Sequence, residues 1–167
     1  MADMTSARHG LPFLAAGQAQ KELTHNEALA LIDAGLNAAT EAAGTNTPPA
    51  APTAGQCWIV GDAPTGAWEG RAEALACWTE SGWRFLPPVE GLRVWLKDQQ
   101  LWAVREASAW TMGDLRGSRL IIAGEQVVGQ RLAGIAAPSG GGTIDAEARA
   151  ALTSIIDRLT AHGLIDA

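Results

Sequence analysis

The seven tryptophans of this chain are confined to its middle, and this constrains the fold more than any other feature. All of them lie between Trp58 and Trp110, and the chain has no Tyr. Short apolar runs recur there at spacings of about ten residues, separated by turn signals such as Ser81-Gly82 and Asp98-Gln99. This pattern predicts a small antiparallel β domain, either a sandwich or a barrel.

Two linkers mark the ends of the Trp-rich part. The first, "GTNTPPAAPTAG", contains three prolines and favours an extended spacer. The second, "PSGGGT", is typical of a flexible hinge and lacks the Lys of a phosphate-binding loop. We therefore predict an α+β chain of three segments. Residues 1–55 hold an N-terminal helix and the Pro-rich linker, 56–137 the Trp-rich β domain, and 138–167 the Gly hinge and a C-terminal helix.

The stretch "GQAQKELTHNEALALID" predicts the start of a surface helix. Thr24 and Glu27 have the spacing of a capping box, in which each side chain accepts a hydrogen bond from the backbone of the other residue. Apolar residues follow at helical spacing, and Gly44 is a natural stop. We predict a helix over 24–43. Since capping explains Glu27 and no second His lies one turn from His25, we do not expect a catalytic or metal site here.

The C-terminal segment predicts a second helix, which Thr143 or Asp145 caps and Gly163 closes. Its apolar residues are spaced by four and three residues in turn, which forms a short heptad seam. Leu at the a positions with Ile at d favours trimers or tetramers in parallel coiled coils. We predict that this seam holds copies of the chain together, with packing on its own domain as the alternative. The seam residues are Leu152, Ile155 and Leu159.

The acidic balance of the chain limits its partners. With a net charge of −6 and a pI near 5.0, it has no broad footprint for nucleic acid or an anionic membrane. The N-terminus lacks the pattern of a signal peptide, so we expect synthesis in the cytoplasm. There, Cys57 and Cys77 are expected as half-buried strand thiols, with a disulfide as the alternative. No cofactor or metal is expected, because no further Cys or His lies near them.

The tryptophans are the best candidates for function, since indole rings stack on sugars and anchor interfaces. Trp83 and Phe85 share one face of a strand and are predicted to be core. Trp95 alternates with Arg93 and Lys97, so we expect it at the surface. The candidate carbohydrate-binding residues are Trp68, Trp95 and Trp102.

The sequence gives little support for an enzyme. The three histidines, His9, His25 and His162, lie far apart and form no nucleophile–His pattern. A glycan-degrading enzyme would need a carboxylate pair in a groove. The candidate acids are scattered over turns and strands, where each can be a solvated surface group; they are Glu69, Glu73, Asp98 and Glu106. We predict no catalytic residue.

Three blocks of the chain resemble, in the same order, the DUF2793 family of phage-related proteins, which occur in prophages and in gene transfer agents. The blocks are "LPFLAAGQAQKELTHNEALALID", "GWRFLPPVEGLRVWLKDQQLWAV" and "GGGTIDAEARAALTSIIDRLTAHGLI". The resemblance implies a virion component that is a tail fibre or head spike, or its base. Such fibres are homotrimers that recognise cell-surface polysaccharide. The family has no established catalytic residues.

The resemblance and the segment pattern together give a working hypothesis. The N-terminal third attaches the protein to other proteins of a phage-like particle through an extended tail that orders on docking. The C-terminal helices form an elongated trimer, and the particle leaves the cell by lysis. Because little chain follows the last helix, we expect a compact fibre or an adaptor that another protein extends. The alternative is a carbohydrate-binding module. The candidate attachment residues are Leu11, Phe13 and Leu14.

Overall fold

The computed structural model describes residues 4–15, 17, 21–143 and 145–166. The chain divides into two compact units, of which the first ends at Asp114 and the second begins at Leu115. Its class is α+β, with an N-terminal helix, a Trp-rich region of two open mixed sheets and a C-terminal helix. The three-segment division at 55 and 137 stays a prediction.

The regular elements are two helices, ten strands and one 3-10 turn at Gly66–Trp68 within the described residues. In chain order they are α1 (Lys21–Gly35), β1 (Ala39–Thr40), β2 (Ala43–Thr45), β3 (Cys57–Val60), β4 (Leu75–Thr79), β5 (Gly82–Leu86), β6 (Arg93–Leu96), β7 (Leu101–Arg105), β8 (Trp110–Met112), β9 (Leu120–Ile122), β10 (Glu125–Val128) and α2 (Ala146–Ala161).

Helix α1 differs from the predicted range of 24–43 at both ends. Thr24 lies inside the helix, and Glu27 pairs with Arg84 at 2.7 Å, so the predicted capping box is not the start of the helix. The helix stops at Gly35 because Asn37 takes up a left-handed backbone conformation with φ of 47°. The small apolar residues after Asn37 continue the helical spacing in sequence, but the chain there forms β1 and β2.

The Trp-rich region contains two four-stranded sheets, ordered β1-β6-β7-β8 and β2-β3-β4-β5. The hairpins predicted at Ser81-Gly82 and Asp98-Gln99 are confirmed as β4–β5 and β6–β7. The pairs β1–β6 and β2–β3 are parallel, so the prediction of a purely antiparallel sheet was wrong. Strand β1 comes from the segment predicted as helix, and β2 spans the end of that segment and the start of the predicted linker. Both sheets are open, so the region is not a barrel.

One hydrophobic core receives side chains from both sheets and from α1. Val94, Leu96 and Ala103 come from the first sheet, while Ile59 and Leu75 come from the second. All five are at most 2% exposed. The first unit therefore has a closed interior that fixes the positions of the outer sheet faces.

Cys57 and Cys77 form a disulfide in this core, so the expectation of two free thiols was wrong. The two residues lie directly opposite each other on the antiparallel strands β3 and β4. Their Cα atoms are 4.1 Å apart. This register brings the side chains together, and residue order alone did not reveal it.

A second cluster lies on the other face of the β2-β3-β4-β5 sheet. Trp58, Val60, Trp68 and Ala76 are buried in it. The half-buried Trp83 packs against Trp68, with ring centroids 5.0 Å apart in an edge-to-face arrangement. Such pairs add to the stabilisation from buried area. The prediction that Trp83 is core is confirmed in part, because its ring contacts the cluster while remaining partly accessible.

The second unit contains the β9–β10 hairpin and α2. The Asp145 carboxylate caps α2 by accepting a hydrogen bond from the backbone N–H of Ala148. Of the two predicted caps, Thr143 and Asp145, the structure therefore uses Asp145. Gly163 follows with φ of 70°, as expected of a helix stop. The run "RLAGIAAP" forms no strand and contributes only an isolated bridge between Leu132 and Ile165.

Candidate functional site

The N-terminal segment is bound along helix α1. The side chain of Asn26 accepts a hydrogen bond from the backbone N–H of Leu14 at 2.9 Å and donates one to its carbonyl at 3.0 Å. Ahead of Leu14, the chain forms a small loop in which Thr5 and Pro12 make a β-bridge. We call residues 4–14 the N-terminal loop. It is folded onto the first unit, so the predicted extended tail does not describe this part of the chain.

The carboxylate of Asp33 is the polar centre of this contact. It accepts hydrogen bonds from the backbone N–H groups of Arg8 and His9 at 2.9 and 2.7 Å, and the His9 ring nitrogen lies 3.0 Å away. Burial alone would raise the pKa of Asp33, but hydrogen bonds from Ser6, Arg8 and His9 outweigh it, so the pKa lies below its ordinary value. The ionised carboxylate therefore stabilises the docked loop.

The guanidinium of Arg8 completes the contact at the C-terminal end of α1. It donates to the carbonyls of Asp33, Ala34 and Leu36 from one nitrogen and to that of Asn37 from another. Two of these carbonyls belong to the last turn of α1 and two to the residues just after it, and a cation is favourable at this end of the helix dipole. Burial lowers the pKa of Arg8, and the charge of Asp33 offsets this only in part.

A cleft of about 400 Å³ lies between the N-terminal loop, α1 and the β4–β5 hairpin. Phe13, Leu23 and Trp78 supply apolar lining, while the Arg84–Glu27 ion pair borders it. Of the candidate attachment residues, Phe13 lines this cleft and Leu14 is fixed by Asn26. Leu11 is half-buried, and its backbone N–H donates a hydrogen bond to the hydroxyl of Ser6.

The outer face of β6 and β7 carries an aromatic and cationic surface. Trp95 and Trp102 are directly opposite each other, and their ring centroids are 5.2 Å apart at an interplanar angle of 69°. The guanidinium of Arg93 lies over the Trp102 ring, 4.1 Å from its centroid. Val94 and Leu96 are wholly buried on the opposite face, so the predicted alternation holds. We call Arg93, Trp95, Lys97 and Trp102 the aromatic face.

The third candidate for carbohydrate binding does not belong to this face. Trp68 is 0% exposed and packs against Trp58 and Trp83. A ring enclosed in this way cannot stack on an external ligand, so a direct binding role for Trp68 does not fit the fold. Sequence spacing could not separate it from the surface tryptophans, because its environment is set by the neighbouring strands.

The second unit leaves its apolar side chains accessible. Among its described residues only Ile165 is buried. On α2, Leu152 is 47% and Ile155 54% exposed, while Leu159 is half-buried. The β9–β10 hairpin is exposed along both strands, with its aliphatic residues on both faces. The exposed hairpin residues are Leu120, Ile121, Ile122, Val127 and Val128.

The candidate acids and histidines occupy separate positions. Glu73 pairs with the buried Arg105 at 2.9 Å, and Asp98 is exposed in the β6–β7 turn. Glu69 is exposed after the 3-10 turn, and Glu106 follows β7. His25 contacts the carbonyl of Lys21, and His162 ends α2.

Among the described residues, no group of three or more His, Cys, Asp and Glu side chains is placed to hold a metal ion. Neither helix in the described part of the chain has the length and apolar character needed to cross a membrane.

The chain matches a known protein family over part of its length. A family model described as "Protein of unknown function (DUF2793)" matches residues 25–111, just over half of the sequence. The chain belongs to the DUF2793 family. No curated protein matches it. The matched region lies within the first unit and includes the aromatic face and most of α1.

Within this DUF2793 region, sequence reasoning identified Trp95 and Trp102 but missed two groups. The Asp33 contact was missed because its partners precede it by about 25 positions in sequence, as the hydrogen bonds from Arg8 and His9 show. Trp78, which lines the cleft, was not singled out. No local signal marked Asp33, because an Asp in a predicted surface helix is ordinarily solvated and its burial depends on partners from another segment.

Proposed function

We propose that this DUF2793 chain is a structural component of a phage-like particle, a tail fibre, head spike or base, that assembles with its own copies. The supporting observation is the exposed apolar surface of the second unit. Soluble monomers rarely expose large contiguous apolar patches, and an isolated two-stranded hairpin is at best marginally stable in water. Association through this unit would cover both the hairpin and the seam of α2.

The proposed assembly is a homotrimer. The seam residues Leu152 and Ile155 are about half exposed, so they are accessible to other copies. Their Leu and Ile pattern favours three or four parallel helices. In this proposal the second unit holds the copies together, and the first unit faces the particle or the host cell. Attachment to the particle is assigned to the N-terminal loop, whose Phe13 contributes to an open cleft.

Light scattering after gel filtration tests the assembly. The expected mass is about three times the 17.4 kDa of one chain. Changing Leu152 and Leu159 together to Ser should reduce it to that of one chain. Asp157→Ser on the same helix is the matched control, because Asp157 is exposed outside the seam. A wild-type protein that runs as a monomer at all concentrations overturns the self-assembling fibre.

A second candidate function is carbohydrate binding by the aromatic face. Its support is the cross-strand pair of Trp95 and Trp102, which places two half-buried indoles side by side on an outer sheet surface. Indole faces stack on sugar rings, so such a pair suits a glycan. In the particle this would provide adhesion to the host surface. Trp95→Ala and Trp102→Ala should abolish binding to host polysaccharide and leave the oligomer mass unchanged.

A further inference from the structure

We propose that the aromatic face binds a linear polysaccharide bearing carboxylate groups, and that Arg93 is the residue that recognises the anion. The inference rests on the carbohydrate-binding role given above as the second candidate function. It adds the charge class of the glycan and the residue that selects it.

Arg93 is held in a position from which it can bind an anion. Its side chain is exposed, and its guanidinium lies 4.1 Å from the centre of the Trp102 ring. Within the described part of the chain it has no carboxylate partner among the ion pairs. Stacking on an indole uses the face of the guanidinium and leaves its edge N–H groups free. Those groups match the two oxygens of a carboxylate.

The spacing of the face suits an extended chain. Arg93, Trp95 and Lys97 alternate along β6 and its end, so they present a cation, a ring and a cation at steps of about 7 Å. Lys97 is paired with Glu41 at 2.6 Å, so its charge is largely compensated. Arg93 is therefore the uncompensated cation beside the ring pair.

The same sheet face continues across the neighbouring strands β7 and β8, where Val104 and Thr111 are partly accessible. Val104 lies opposite Arg93, and Thr111 lies opposite Val104, which extends the same outer face onto β8. A partly accessible sheet surface of this kind is better suited to a linear polymer than to a monosaccharide, which binds in an enclosing pocket. Single-stranded nucleic acid is the rival polymer, because it also stacks on aromatic rings beside cations. A groove that binds single strands carries cations along the phosphate backbone, whereas Arg93 is the uncompensated cation of the aromatic face, so the glycan is favoured.

The chain offers a matched control for Arg93. Arg71 is also exposed and lies over an aromatic ring, 5.1 Å from the centroid of Phe85. Phe85 packs against the Trp58 and Trp68 cluster, on a different surface from the aromatic face. Arg71→Gln therefore removes the same charge and the same type of contact elsewhere in the first unit.

Affinity electrophoresis and calorimetry of the full chain test the proposal. The ligands are polygalacturonate, alginate, methyl-esterified polygalacturonate and oligo-dT. We expect binding to at least one of the two acidic polymers, and loss of about tenfold or more in affinity on Arg93→Gln. Arg71→Gln should bind as wild type. Esterification, which removes the charge and keeps the sugar chain, should weaken binding of the wild type but not of Arg93→Gln.

The other outcomes separate this inference from the functions proposed above. Equal binding of the acid and its ester, or an unchanged affinity in Arg93→Gln, overturns the role of Arg93 and leaves a neutral glycan module. Binding of oligo-dT in preference to both acidic polymers overturns the glycan class. Failure to bind either acidic polymer also overturns the inference, while the mass measurement independently tests the self-assembly of the proposed particle component. Circular dichroism of each variant checks that it is folded.

Discussion

The side chain of Asn26 holds the backbone of Leu14 from both sides, accepting from its N–H at 2.9 Å and donating to its carbonyl at 3.0 Å. An amide is suited to this because it carries an acceptor and a donor side by side. Asn26 is thereby a structural residue that fixes the end of the N-terminal loop on α1. The neighbouring His25 is exposed, and its ring nitrogen lies 2.9 Å from the carbonyl oxygen of Lys21.

Replacing Asn26 by Ala should release the end of the N-terminal loop. The change removes two partly buried hydrogen bonds, which together contribute about 1–3 kcal/mol. Hydrogen exchange should show faster exchange of the Leu14 amide and of the amides of Arg8 and His9, with little change in β3 or β4. His25→Ala is the control and should exchange as wild type. Unchanged protection in Asn26→Ala would contradict the assignment.

The contact at Asp33 should depend on pH in the acid range. Its pKa is lowered in the folded state, so its contribution to stability is complete above the ordinary value of 3.8. That contribution is lost as the pH falls through the lower, folded value. The measurement is the melting temperature of wild type and Asp33→Asn between pH 7 and pH 2. Wild type should melt higher at pH 7, and the difference should shrink towards zero in acid. A difference that is constant with pH would argue against this role.

The Cys57–Cys77 disulfide should contribute about 3 kcal/mol to the free energy of unfolding. It joins residues 20 positions apart. Closing a loop of that size lowers the entropy of the unfolded chain, which raises the free energy of the unfolded state by about this amount. Guanidinium unfolding with and without a reductant gives the value. The double variant Cys57→Ala, Cys77→Ala should unfold at a midpoint that the reductant does not change. A wild-type midpoint that is equally insensitive to reductant would show that the bond is absent in solution.

Local signals in the sequence predicted the elements whose contacts are also local. Ser81-Gly82 and Asp98-Gln99 lie between apolar runs, and both mark the hairpins that were expected there. Asp145 and Gly163 likewise mark the ends of α2. In each case the partner groups are within a few residues, so the residue types themselves carry the information.

Contacts between distant segments could not be predicted in the same way. Strand β1 pairs in parallel with β6 more than fifty positions later, and it has only two residues to signal its presence. Asp33 shows the same limit, because its partners Arg8 and His9 precede the helix. At the aromatic face, alternation predicted which side of β6 Trp95 occupies, but the stacking of Arg93 on Trp102 depends on the register of β7.

Truncation of single tryptophans should separate the core rings from the surface rings. Trp68 is 0% exposed and lies within 6.2 Å of the ring centres of Trp58 and Trp83, so Trp68→Ala should cost about 3–5 kcal/mol. Trp95 is half-buried and its ring contacts Trp102, so Trp95→Ala should cost about 1–2 kcal/mol. Denaturant unfolding of both variants measures the two values. If Trp95→Ala is as destabilising as Trp68→Ala, then Trp95 is a core residue, and the aromatic face is a structural feature that no ligand requires.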